Sequence, residues 1–160
     1  MSNIVKAALV IIIGATVLAS QAGRDTVSDS AAVEKAVLAV HAAMAEAEKA
    51  LDAEKFFSYI LDFDKGLIIQ DGMVFKTRQE ALDTVKAGFQ GISGIKRAYD
   101  RTHVTVISPE AALLTAQGTS SVTLSDGRIF SGPFAVSSLF VLRDGQWKLL
   151  HGHYSVPNPQ

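Results

Sequence analysis

The chain contains no cysteine. That absence excludes disulfides, thiol chemistry and anchoring through a lipidated cysteine, and leaves a packed core as the source of stability. Charge of one sign is equally scarce: 15 Lys and Arg stand against 16 Asp and Glu, with the two signs interspersed. No basic patch argues for phosphate-backbone binding, so nucleic acid is not an expected partner. No apolar run reaches the ~18 residues expected of a membrane-spanning helix. There is no Gly-rich phosphate loop, because Gly91-Ile92-Ser93-Gly94 follows a helical pattern instead of opening one. No serine occupies a Gly-x-Ser-x-Gly turn, and no cofactor motif is present, so any chemistry is expected to be cofactor-free.

What is present begins with an export-like start. Lys6 supplies a positive charge, Ala7 to Ala19 an apolar core, and small residues follow, with cleavage expected after Ala19 or Ala22. Residues 1–22 are therefore expected to be a signal peptide and residues 23–30 a polar linker. The mature protein is expected to be periplasmic or secreted, with no stable membrane insertion. Residues 31–157 have the length of one ordinary domain.

Within that domain, Asp29 or Ser30 is placed to cap a long helix whose apolar positions Val33, Val37, Val40, Met44, Ala47 and Leu51 recur at spacings of three and four. Glu34, Lys35, Glu46, Glu48 and Lys49 make the opposite, solvated side. Asp52 is expected to cap a short helix carrying Phe56, Phe57, Tyr59 and Ile60. Thr77-Arg78-Gln79-Glu80 has the form of a capping box, followed by the stripe Leu82, Val85 and Phe89 and a stop at Gly91. Between these helices, Asp71-Gly72 joins two short apolar runs into a hairpin.

From about Tyr99 the pattern becomes strand-like. Arg101 to Ile107, Ala111 to Leu124, Ile129 to Leu142 and Gln146 to Ser155 are separated by turn residues, which predicts an antiparallel meander. Helices first and sheet afterwards is the α+β pattern. The strand around Phe134 to Leu142 is apolar on both faces, which predicts that a second copy covers the outer one in a homodimer.

The last strand carries two of the four histidines. Strict alternation after the Asp144-Gly145 turn puts Trp147, Leu149, His151, His153 and Ser155 on one face, grading from apolar to polar as the wall of a ligand cavity does. His151 and His153 are near-neutral acid–base candidates. They do not complete a metal site, since His103 lies three strand spacings away if pairing is sequential. His41 flanks the first helix's apolar stripe. With Tyr99, Phe89, Phe63, His103 and Trp147 it completes the candidate ligand-binding set for a small apolar organic molecule.

The order helix, short helix, hairpin, capped helix and meander, ending in Asp-Gly-Gln-Trp-Lys-Leu-Leu-His-Gly-His-Tyr-Ser, resembles the nuclear transport factor 2-like superfamily, and within it the SnoaL-like branch. The resemblance implies a cone-shaped curved antiparallel sheet wrapped around the long N-terminal helix, an interior cavity and common dimerisation. It also implies no single function. In ketosteroid isomerase-like members a tyrosine and acidic groups transfer protons; Tyr59 would match the tyrosine, while Gln70 cannot act as the base and Asp71 is occupied by its turn. Three readings follow. The first is an exported small-molecule-binding domain; the second is a cofactor-independent isomerase, dehydratase or cyclase using His153 with His151 or Tyr59; the third is a homodimeric association module.

Overall fold

The computed structural model describes residues 11–62, 68–70 and 72–157, with side chains from residue 29 onward. Residues 1–10, Phe63 and Asp71 therefore lie outside the described residues, and of the rest of the expected signal and linker up to residue 28 only the backbone is described. Among those described, no helix is long and apolar enough to cross a membrane.

The first helix, α1, runs from Ile11 to Lys49. The backbone is helical through residues 23–30, where a linker and a cap at Asp29 or Ser30 were expected. Proline is absent there, and Gly23 alone costs a helix only about 1 kcal/mol relative to alanine. The compact unit that holds the core nonetheless begins at Val33. Val33, Val37, Met44 and Ala47 are buried, as the spacing of the stripe predicts.

The end of α1 is a Schellman turn: the Leu51 amide donates to the Glu48 carbonyl and the Asp52 amide to the Ala47 carbonyl. Leu51 takes the positive φ of 56° that this turn requires. Asp52 then caps α2, Ala53–Phe57, by accepting from the Lys55 amide at 2.9 Å. A small hairpin follows, formed by β1, Ile68–Gln70, and β2, Met73–Phe75, with Gly72 at φ 79°.

Helix α3, Arg78–Gln90, starts where the capping box places it. Thr77 Oγ1 accepts from the Glu80 amide, and the Glu80 carboxylate reaches back one residue beyond the box to the Lys76 amide. Arg78 donates twice to the Phe57 carbonyl, tying the start of α3 to the end of α2.

Four long strands complete the chain: β3, Ile92–Ser108; β4, Ala111–Leu124; β5, Ile129–Arg143; and β6, Gln146–Ser155. Strand β3 begins directly after α3, nine residues earlier than Arg101. Its first half escapes an apolar-alternation reading because one of its inward positions is Arg97. The sheet order is β2-β1-β6-β5-β4-β3, with only the β1–β6 pair parallel. Asp144 and Gly145 both take positive φ, as the tight β5–β6 turn demands. The fold is α+β, a curved, mostly antiparallel sheet with a long N-terminal helix, as expected.

The core lies between the helices and the inner sheet face, where Val37, Phe57, Leu114 and Phe140 are the largest fully buried side chains. Losing one such aromatic side chain typically costs about 3–5 kcal/mol. On the inner face of β5 stand Phe134, Val136, Ser138 and Phe140; Ala135, Ser137, Leu139 and Val141 point the other way.

Candidate active site and ligand cavity

One register detail decides what faces inward. Phe140 pairs with Leu149, but Leu139 pairs with His151, so Leu150 is an extra residue in β6. The bulge falls where β6 changes neighbours, from the Ile60 bridge at Leu149 to β1 at Gly152. Beyond it the faces exchange. Trp147 and Leu149 share the inner face with Gly152, opposite Ser138, and Tyr154, opposite Val136; His151 and His153 share the outer face with Leu139 and Ser137. The single graded face expected for Trp147 to Ser155 therefore does not form, because one inserted residue reverses every later side chain.

Inside the domain is a cavity of about 450 Å³, within the ~300–1,000 Å³ usual for small-molecule sites. Its walls are mostly apolar: Met44 from α1, Phe56 and Phe57 from α2, Phe75 from β2, Val85 and Phe89 from α3, Ile95 from β3, Val122 from β4 and Phe134 and Val136 from β5. The polar groups lie mainly where α1 faces β3 and the end of β6. His41 and Glu48, seven residues apart, present themselves from the same side of α1.

Glu48 is not on the solvated side of the helix as expected. Its carboxylate accepts from Arg97 Nε at 2.6 Å and from the Arg97 terminal nitrogen at 2.5 Å, a bidentate pair with side chains only 16% and 17% exposed. The other terminal nitrogen of Arg97 donates to the Tyr154 hydroxyl at 2.8 Å. The guanidinium also lies 5.1 Å from the Phe134 ring centroid and 4.8 Å from that of Tyr154. Burial alone pulls the Arg97 pKa down, but the Glu48 hydrogen bonds and charge, helped by Tyr154, carry it above its ordinary value.

His41 meets Tyr99 edge to face at 5.1 Å, and Tyr99 in turn packs edge to face on Phe134 at 5.5 Å. The His41 Nε2 is buried and has no hydrogen-bond partner. Desolvation lowers the His41 pKa, against the opposing pull of Glu48, so the ring is neutral near pH 7. Burial, reinforced by Glu48, raises the Tyr99 pKa and keeps its phenol protonated. The site thus sets a neutral imidazole ring in the wall of an apolar chamber, beside a charge pair that is internally matched.

Of the residues expected to form the site, His41, Tyr99 and Phe89 line the cavity together. His153 borders it from an exposed, outward strand position. His151 is on the outer face, and His103, exposed opposite Thr115 on β3, is on the outer face as well. Tyr59 and Trp147 pack partly buried against the core without reaching the cavity. Phe63 lies outside the described residues. Among the described residues no cluster of three or more metal-ligating side chains occurs. Sequence reasoning missed Arg97, and it missed the inward turn of Glu48. The signals were there in the helical spacing from His41 to Glu48 and in the alternation Ile95, Arg97, Tyr99.

This architecture, a curved sheet with an open-mouthed chamber behind a long helix, is the fold of the nuclear transport factor 2-like proteins. Within that class the chain belongs to the SnoaL-like domain family, which matches residues 37–159. A candidate dehydratase of the nuclear transport factor 2-like family from Streptomyces avermitilis is 19% identical, with a TM-score of 0.69 over 78% of this chain and 97% of that one. A candidate scytalone dehydratase from Novosphingobium aromaticivorans is 11% identical, with a TM-score of 0.74 over 82% and 88%. A superfamily protein from Salmonella enterica serovar Typhimurium is 12% identical, with a TM-score of 0.73 over 82% and 95%. At these identities the likeness is one of fold alone. Among curated proteins none matches the chain.

Proposed function

We propose that the protein binds a small, largely apolar organic molecule in the cavity, with one polar group of the ligand hydrogen-bonded to His41. The observation that carries this reading is His41, whose side chain lines an apolar chamber and whose Nε2 is buried without a hydrogen-bond partner. An unsatisfied buried polar atom costs about 1–3 kcal/mol, and a ligand hydroxyl, carbonyl or amide would recover that cost on binding. The test is equilibrium titration with benzamide, naphthamide and decanamide, read by thermal stabilisation and by calorimetry. Saturable binding that weakens in His41→Leu supports the proposal; no binding by any of the three defeats it.

A second reading is proton transfer next to a carbonyl, the chemistry suggested by the dehydratase-named neighbours. His41 favours it, because its lowered pKa leaves a nitrogen free to accept a proton at neutral pH. Deuterium exchange at the α-carbon of bound ketones in heavy water, lost in His41→Leu, would support it. Exchange at the uncatalysed rate would leave binding alone.

Export and self-association belong to the same proposal. The basic and apolar start supports export, and mass spectrometry of the cellular fractions tests it: a full-length cytoplasmic chain would contradict it. The partly exposed outer-face residue Leu139 supports a homodimer through the sheet. A monomer by sedimentation at micromolar concentration would overturn that.

A further inference from the structure

We infer that Glu48 sets the charge class of the ligand: by matching Arg97 within the wall, it makes the cavity accept uncharged molecules and reject anions of the same shape. This deepens the binding reading above and rests on it.

The argument starts from a census of the wall. Among the described residues lining the cavity, Glu48 and Arg97 are the only formally charged side chains, and each is the other's partner. The described wall therefore carries no net formal charge, with its histidines neutral. An arginine in a cavity is usually the anchor for a carboxylate or phosphate, since its planar fork fits two oxygens. Here the Glu48 carboxylate occupies that fork in the bidentate position, and the Tyr154 hydroxyl takes a further donor. The two aromatic rings of Phe134 and Tyr154 lie within 5.1 Å of the guanidinium.

An incoming carboxylate would have to displace Glu48 or remain unmatched beside it. Displacement strands one partly buried carboxylate, and leaving such a charge without a partner is unfavourable. An uncharged amide, ketone or alcohol meets neither obstacle and still satisfies His41. The specificity lies in a residue that need not touch the ligand, through the charge it cancels.

The experiment compares matched pairs, benzamide with benzoate, naphthamide with naphthoate and decanamide with decanoate, at about pH 8. In the wild type each amide should bind at least about tenfold tighter than its carboxylate. In Glu48→Gln the side chain keeps its shape but no longer cancels Arg97, so the ratio should invert, with the carboxylates bound tighter than the amides. The paired variant Glu48→Leu/Arg97→Met removes both charges, keeps the wall neutral and should retain the amide preference; it also guards against a Glu48→Gln chain that fails to fold. Equal wild-type affinity for amides and carboxylates would overturn the inference. So would a Glu48→Gln ratio unchanged from wild type, or carboxylate binding gained by the paired variant. A wild type that binds no member of any pair would instead sink the binding reading itself.

Discussion

Glu48 in the last turn of α1 and Arg97 on β3 form a bidentate ion pair across 49 residues of sequence, partly buried against the ring of Phe134. A carboxylate near a helix C-terminus faces unpaired carbonyls and is unfavourable there by itself. Arg97 offsets that and fixes the distance between helix and sheet. Arg97→Met alone should lower stability by about 2–3 kcal/mol, below the range for a fully buried pair, because it leaves Glu48 partly buried and unmatched. Glu48→Leu alone should cost a similar amount, and the two together much less than the sum. Urea melts of the four proteins in a double-mutant cycle measure this coupling; additive losses would contradict it.

His41 makes stability depend on pH in a definite direction. Its folded-state pKa lies below the ordinary value, chiefly through burial, so the unfolded chain binds protons that the folded one refuses. Stability contributed by neutral His41 is present above the unfolded value of about 6.5 and declines as pH falls below it. Urea midpoints measured between about pH 8 and pH 5 should fall more steeply for the wild type than for His41→Leu. Parallel curves would show that His41 does not titrate in the folded protein as described.

Gly118 sits on β4 where the backbone of β3 leaves no room for a side chain. A Cβ there would lie 1.9 Å from the Ala98 carbonyl oxygen, which is backbone and has nowhere to move. Gly118 pairs with Tyr99, immediately before the register shift between Tyr99 and Arg101. That close approach seats Arg97 and Tyr99 on the cavity wall. Gly118→Ala should therefore destabilise by about 1–3 kcal/mol, the usual range for overpacking, and weaken amide binding. An unchanged thermal midpoint would contradict this.

The bulge at Leu150 makes a prediction about the terminal histidines. With His151 and His153 directed to the outer face, His151→Ala and His153→Ala should each change amide affinity by less than about twofold. His41→Leu should weaken it by about fivefold or more, the value of one net hydrogen bond. A large loss in His153→Ala, with His41→Leu unaffected, would reverse the assignment.

Much of the fold was legible because local chemistry and tertiary structure agree. Thr77 and Glu80 cap α3, Asp144 and Gly145 take the positive φ of a tight turn, and the stripe from Val33 to Ala47 is buried. The site was less legible, for two physical reasons. Alternation predicts a strand's faces only until a bulge intervenes, and nothing in Lys148-Leu149-Leu150-His151 announces that β6 exchanges one neighbour for another there. An ion pair turned inward also removes the pattern that would reveal it: Arg97 interrupts the apolar alternation of β3, and Glu48 passes for a surface charge on α1. Only the partnership of the two explains either position, and that partnership is non-local.

The central claim is that a neutral ligand occupies the chamber beside His41. The most direct measurement is intermolecular nuclear Overhauser contact between naphthamide ring protons and the labelled protein. Contacts to the Met44 methyl, the His41 ring and Phe134 are the predicted result. Contacts confined to exposed apolar residues such as Ile129 and Phe130, with none to Met44 or His41, would contradict it.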